Sequence, residues 1–268
     1  MSNTDVVTVS DLSSAILSTV TSHKIMAIGK KLIIDSDCGI DDAMAILMAL
    51  EAHKREAVEV LALTAVAGNC SERDVERNIL RTLDAAGCFN IPVYRGATEA
   101  LVIPYPHGDG HCHGQDGFNN VIFPTTPDMR RIKEETAWEA ISRITKEHPK
   151  EITLVALGPL TNIAIAMKTD TGLAERLGEI FIMGGNAEGI GNTSEAAEFN
   201  FHADPEAAFT VLRMTKCATT IAPWELCYKH TNVDIGWRNE VVGRLSTPAA
   251  NLINALEEVS LYNFSTET

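Results

Sequence analysis

The segment DSDCGIDD (35–42) sets four carboxylates within eight residues, directly behind the apolar run KLIID (31–35). Asp35 and Asp37 are two apart, so extended backbone turns both to one side. Gly39 lets the chain turn sharply, and Asp41 and Asp42 then open a helical pattern, DDAMAILMALEAHK (41–54). Carboxylates suit a helix N-terminus, where free N–H groups and the dipole favour negative charge. A capped helix behind a polar turn therefore explains Asp41 or Asp42. It does not explain Asp35 and Asp37 as well, because like charges this close need a cation or a proton between them. An all-oxygen donor set selects a hard cation, Ca²⁺ or Mg²⁺, over zinc.

Two ways of using such a cluster fit poorly. An EF-hand loop needs a bidentate Glu at its twelfth position, and counting from Asp35 that residue is Ile46. A D-x-D phosphohydrolase of the haloacid-dehalogenase type matches Asp35 and Asp37 locally, but needs an acidic pair after a late strand, and nothing beyond residue 178 resembles one. His107, His111, Cys112 and His113 raise the question of zinc. Their spacing is irregular and the surrounding loop is Gly-rich, which favours a flexible lid. The Pro of GPLTN (158–162) is ordinary at a first helical turn, and Trp224 reads as a packed aromatic.

The elements that position these residues follow from apolar periodicity. Buried-strand patterns occupy 31–35, 58–68, 91–96, 151–158, 178–185 and 217–223; helical patterns occupy 41–54, 71–87, 137–148, 160–168 and 204–214. Ser71 is the expected N-cap of the second helix and Gly87 its stop. Strands alternating with helices predict a single α/β domain around a mostly parallel sheet flanked by helices, Rossmann-related in kind, over residues 29–268. Residues 101–127 form a long connection of the kind that is often functional. Ligands of open α/β sheets gather at strand carboxyl ends, and four of these ends are polar: DSDCGIDD, AGN, GPLTN and GGN.

Composition narrows the partners. With 22 Lys+Arg against 36 Asp+Glu in 268 residues, the formal charge is −14, which argues against binding nucleic acid or an anionic membrane surface. No run of 18 uncharged apolar residues is present to span a bilayer. Six scattered cysteines without a C-x-x-C pair predict reduced thiols and a cytoplasmic protein. Residues 1–28 read as an N-terminal extension with one weak helix near 11–20 and no chemistry.

IIDSDCGIDDAMAI closely resembles the signature of the inosine–uridine nucleoside hydrolases (nucleoside N-ribohydrolases), D-T-D-P-G-x-D-D-A, with Ser36 for Thr and Cys38 for Pro, both read as conservative in this turn. The resemblance continues in order through VAGN (66–69), PVYRGA (92–97), HGQDG (113–117), LGPLTNIA (157–164), MGGN (183–186) and GNTSEAAEFNFHADPEAA (191–208). It implies Ca²⁺-dependent hydrolysis of the N-glycosidic bond of ribonucleosides to ribose and free base, by a homo-oligomer. Residue by residue it implies Asp37, Asp42 and the Leu157 carbonyl as metal ligands, and Asp37 also as the base that takes a proton from the attacking water. Asp35 would orient these neighbours. Asp41, Asn69, Asn192, Glu198, Asn200 and the backbone around Met183 would hold ribose hydroxyls, and His113 would lie near the base. Such residue types suit the chemistry, since carboxylates stabilise an oxocarbenium-like ribose and amides pair with its hydroxyls.

The resemblance also implies a later segment carrying another metal-ligand Asp and, in many members, a His that protonates the leaving base. His230 and Asp234 in KHTNVD do not match that motif. The chain is therefore expected to be C-terminally truncated. The alternative function is a non-catalytic relative that binds nucleosides or a full-length partner.

Overall fold

The computed structural model describes residues 29–105, 112–230 and 233–266. The predicted helix near 11–20, His107 and His111 lie outside these residues. Seven strands form one sheet: β1 (Lys30–Ser36), β2 (Val58–Ala65), β3 (Val93–Arg95), β4 (Ile132–Thr136), β5 (Ile152–Ala156), β6 (Glu179–Met183) and β7 (Ala218–Ala222). All neighbouring pairs are parallel, in the order β4-β3-β2-β1-β5-β6-β7. The helices are α1 (Ile40–Lys54), α2 (Glu72–Ala86), α3 (Ala137–Glu147), α4 (Thr161–Thr169), α5 (Leu173–Arg176), α6 (Phe199–Ala203), α7 (Pro205–Met214), α8 (Trp224–His230), α9 (Ile235–Val241) and α10 (Pro248–Thr266).

A central parallel strand is buried on both faces and so reads as a continuous apolar run. In β1, Ile33 packs with Ile152, Leu154 and Ile163, whereas Ile34 packs on the opposite side with Ile46, Leu63 and Ile79. The second of these cores takes its cover from α1, α2 and, through Leu252, Ile253 and Leu256, from α10. The α2 limits follow local chemistry. Ser71 Oγ accepts from Asp74 N, and Gly87 ends the helix at φ 70°, the left-handed region glycine enters most cheaply.

Several expectations need correction. The run 58–68 leaves the sheet at Ala65, and 91–96 contributes only Val93–Arg95. β4, sequence IKEET, was absent from the predicted strands; at a sheet edge its Lys133 and Glu134 face solvent, so it lacks the apolar signature of the interior strands. Residues 217–223 do form a strand, but not a buried one: β7 is the other edge, and Ala218 through Ile221 are exposed. Alternating apolar content cannot tell a central strand from an edge that has no neighbour. Helices α8, α9 and α10 follow β7, where no helix was predicted.

Candidate functional site

The chain builds the sheet outward from β1 to β4, then returns to β1's other side and continues to β7, so the direction of winding reverses between β1 and β5. At such a switch point the loops leaving adjacent strands part and open a crevice at their carboxyl ends. The four polar strand ends read from the sequence belong to β2, β1, β5 and β6, four consecutive neighbours. The aspartate turn lies on the switch itself.

Asp37 follows β1 directly and is 1% exposed. Its Oδ2 accepts from Asn69 N at 2.8 Å, while Oδ1 is buried with no hydrogen-bond partner. Glycines press on it from both sides: a Cβ on Gly68 would stand 2.2 Å from Oδ2 and one on Gly158 2.8 Å from Oδ1. Burial, with the nearby charges of Asp41 and Asp35, pushes the Asp37 carboxyl up to about 8, against the bond from Asn69. Asp42 Oδ1 accepts from Ser36 Oγ at 2.8 Å and Oδ2 from Gly39 N at 3.1 Å. Burial and the charges of Asp37 and Asp41 hold it well above the usual carboxylate range. Asp35 is fully buried, and its Oδ1 accepts from Asn162 Nδ2 at 2.8 Å and from Thr64 Oγ1. Its Oδ2 has no partner, and burial raises it to about 6 against those two bonds.

Carboxylates crowded in this way, with unpartnered buried oxygens, fit a hard cation, which would oppose both desolvation and mutual repulsion. Asp37, Asp42 and the Leu157 carbonyl are the donors the chain offers. Among the described residues no three His, Cys, Asp or Glu side chains are grouped to hold a metal, so these donors alone would not complete a coordination shell. Of the His/Cys loop, Cys112 is exposed and His113 lies beside Asp41.

Across the crevice stands α6. Asn200 Nδ2 reaches the Leu157 carbonyl at 2.8 Å and the Met183 carbonyl at 3.1 Å, joining the ends of β5 and β6. Glu198 caps α6: Oε1 accepts from Asn200 N, and Oε2 from Gly185 N and Phe201 N. Burial raises its carboxyl despite these bonds. On the other flank, Asn69, His113 and Asp41 converge over Gly39, whose added Cβ would stand 2.7, 3.1 and 3.2 Å from them. His113 Nδ1 accepts from Ile40 N at 3.3 Å, and Nε2 lies 3.5 Å from Asp41 Oδ1.

The structure thus brings Asp35, Asp37, Asp41, Asp42, Asn69, His113, Leu157, Met183, Glu198 and Asn200 around one crevice. Asn192 is exposed, and its Oδ1 accepts at 2.8 Å from the N–H of Phe199, which lies between Glu198 and Asn200 in the chain. The reading of Cys38 as a conservative replacement for proline is corrected, because Cys38 sits at φ 34°, which a proline ring cannot reach.

Sequence reasoning missed Asn162. Fully buried, it donates to Asp35 and to Ala65 O at 2.8 Å each and accepts from Ala97 N at 2.8 Å. A polar residue inside the apolar helix LTNIAIAM was the available signal. Glu225 was missed too: buried in α8, its Oε1 accepts from Ala187 N and Glu188 N, bracing the turn after β6.

Fold and crevice together define an α/β protein with an acidic ligand site at the topological switch point of a parallel sheet. A family model for inosine-uridine preferring nucleoside hydrolases matches residues 32–267, and the chain belongs to that family. It is 40% identical over 198 residues to a probable uridine nucleosidase 2 of Oryza sativa subsp. japonica, covering 74% of this chain and 58% of that protein. It is 43% identical over 182 residues to uridine nucleosidase 1 of Arabidopsis thaliana, covering 68% and 53%. The chain therefore spans little more than half the length of these relatives. Among solved structures, a plant nucleoside hydrolase superposes with a TM-score of 0.80 at 34% identity, over 89% of this chain and 73% of that one.

Proposed function

We propose that the crevice binds a ribonucleoside by its ribose and hydrolyses the N-glycosidic bond, releasing ribose and free base, with Ca²⁺ held by Asp37, Asp42 and the Leu157 carbonyl. The observation that carries this reading is the buried, unpartnered Oδ1 of Asp37, pinned between Gly68 and Gly158 at the switch point. When bound, Ca²⁺ supplies Lewis-acid activation of water and offsets the charge of the cluster. Asp37 accepts the proton of the attacking water as oxygen bonds to the anomeric carbon; the C–N bond breaks and its electron pair leaves with the base. The carboxylates face the positive charge that develops on ribose. Asn69, Asp41, Glu198, Asn200 and Asn192 are assigned to the ribose hydroxyls, and His113, beside Asp41, to the base side. The names of the relatives favour uridine as the first substrate to try.

Exposed Phe209, Leu212 and Ile221 support assembly into a homo-oligomer. None of the six cysteines is in a disulfide, which supports a reducing, cytoplasmic setting. Among the described residues no helix is long and apolar enough to cross a membrane.

Ribose release from uridine and inosine, with Ca²⁺ and with a chelator, tests the assignment. Ribose should appear only with Ca²⁺, and 2′-deoxyuridine should react far more slowly, because a site built around a hydroxyl is left with unpaired polar groups when it is missing. Binding of a ribose-configured iminosugar without ribose release would select the non-catalytic alternative. Phosphate release from a nucleotide with its glycosidic bond intact would return Asp35 and Asp37 to the phosphohydrolase reading.

A further inference from the structure

Two segments meet across the crevice in a regular way. Leu157 and Thr161 lie four residues apart in the turn from β5 into α4; Asn200 and Asp204 lie four apart at α6 and its end. Two bonds join them in parallel. Asn200 Nδ2 donates to the Leu157 carbonyl at 2.8 Å, inside the site. Thr161 Oγ1 donates to Asp204 Oδ2 at 2.7 Å, one step behind it, where Asp204 is fully buried and Thr161 is 2% exposed.

Asp204 does more than cap a helix. Its Oδ1 accepts from Ala207 N at 2.9 Å at the start of α7, and its Oδ2 also accepts from Leu101 N at 2.9 Å, near the start of the long connection. That connection touches α6 again through Tyr105, whose ring meets Phe199 and His202 edge-on at centroid distances of 5.6 and 5.8 Å. Further along the same connection, His113 Nε2 lies 3.5 Å from Asp41 Oδ1. One buried carboxylate therefore ties together the α4 turn, the α6–α7 junction and the backbone at Leu101. None of these three bonds goes to a side chain assigned to ribose.

We propose that Asp204, acting through Thr161 and Leu101, is a positioning residue for ribose recognition, setting the distance across which Asn200 bridges the ends of β5 and β6. This rests on the reading of the crevice as a ribonucleoside site. A ribose hydroxyl recognised by an amide is sensitive to displacement of that amide by a fraction of an ångström, and misplacement of about 1 Å costs on the order of a hundredfold in rate. Without the Thr161 hydroxyl, α6 stays folded under its Glu198 cap but loses its second fastening to the α4 turn.

Thr161→Val keeps the branched shape and deletes the hydroxyl; Thr161→Ser keeps the hydroxyl. The full chain with Ca²⁺ is assayed with uridine and 2′-deoxyuridine, alongside iminoribitol binding and thermal unfolding. Thr161→Val should lower kcat/KM for uridine by about 10–100-fold, mainly in kcat, and lower it much less for the deoxy analogue, so that discrimination between the two shrinks. Iminoribitol should bind more weakly in parallel. Thr161→Ser should recover uridine turnover and discrimination to within about threefold of wild type. A purely structural role would lower the unfolding temperature and reduce both substrates in proportion, overturning the proposal; so would Thr161→Val with unchanged discrimination, or a Thr161→Ser that fails to rescue. If wild-type chain neither cleaves uridine nor binds iminoribitol, the ribonucleoside reading falls and takes this inference with it. A functional wild type with an indifferent Thr161→Val removes this inference alone.

Discussion

The two walls of the crevice are built on opposite terms. On the aspartate wall, Asp35 and Asp37 each keep one buried oxygen without a partner, and burial raises the carboxyls of Asp35, Asp37 and Asp42. On the α6 wall, both oxygens of Glu198 and both of Asp204 accept hydrogen bonds. An unsatisfied buried charge costs stability and is retained where something else must meet it. A saturated one fixes geometry. On the function proposed above, the first wall would take a cation and a proton, and the second would serve as a template.

The largest effect should come from Asp37→Asn, with two readouts of opposite sign. Ribose release should fall by about a thousandfold or more, since a base and a cation ligand are lost together. In chelator at neutral pH, the same variant should unfold about 3–10 °C higher, because a carboxyl that must take up a proton to be buried is replaced by an amide that is neutral already. A lower unfolding temperature would break the contrast between the walls.

Glu198→Ala should behave in the opposite manner. Three backbone N–H groups lose their acceptor, and urea denaturation should show a loss of about 2–4 kcal/mol. Glu198→Gln, which keeps one oxygen, should recover part of it. An alanine variant as stable as wild type would show that α6 does not depend on its cap.

The smallest effect should come from a carboxylate outside both walls. Glu72 in α2 is pushed up to about 7 by partial burial and by Glu76, against the bond it accepts from Gly96 N. Because the folded protein holds this proton more tightly than the unfolded chain, the group's contribution to stability is complete below about pH 4.5 and is lost as pH rises through 7. Glu72→Gln should flatten that slope in unfolding curves taken from pH 5 to 8, leaving the values at pH 5 nearly unchanged. An unaltered slope would detach Glu72 from the pH dependence.

The legibility of the sequence follows the same division. Interior strands and long amphipathic helices could be read because burial on a fixed face imposes a period, and Ser71 and Gly87 mark the limits of α2 by local chemistry alone. The aspartate turn was legible because four carboxylates in eight residues have no ordinary structural explanation. Asn162 and Asp204 were not, since each is a single polar residue whose partners lie 43 to 127 residues away for its longest bonds. The edges were misread for a different reason: β4 was not foreseen and β7 was foreseen as buried, because what makes them edges among the described residues is the absence of a neighbour, and no residue encodes that.

Those two edges also differ in what they offer an incoming strand. β4 displays Lys133, Glu134 and Glu135, charges that refuse an incoming strand, whereas β7 displays Ala218, Thr219, Thr220 and Ile221, with no charge, proline or bulge. A sheet bare at both ends could recruit strands without limit and grow into fibres. With charge on one edge and none on the other, the two ends of the described sheet are unequal as templates for an incoming strand.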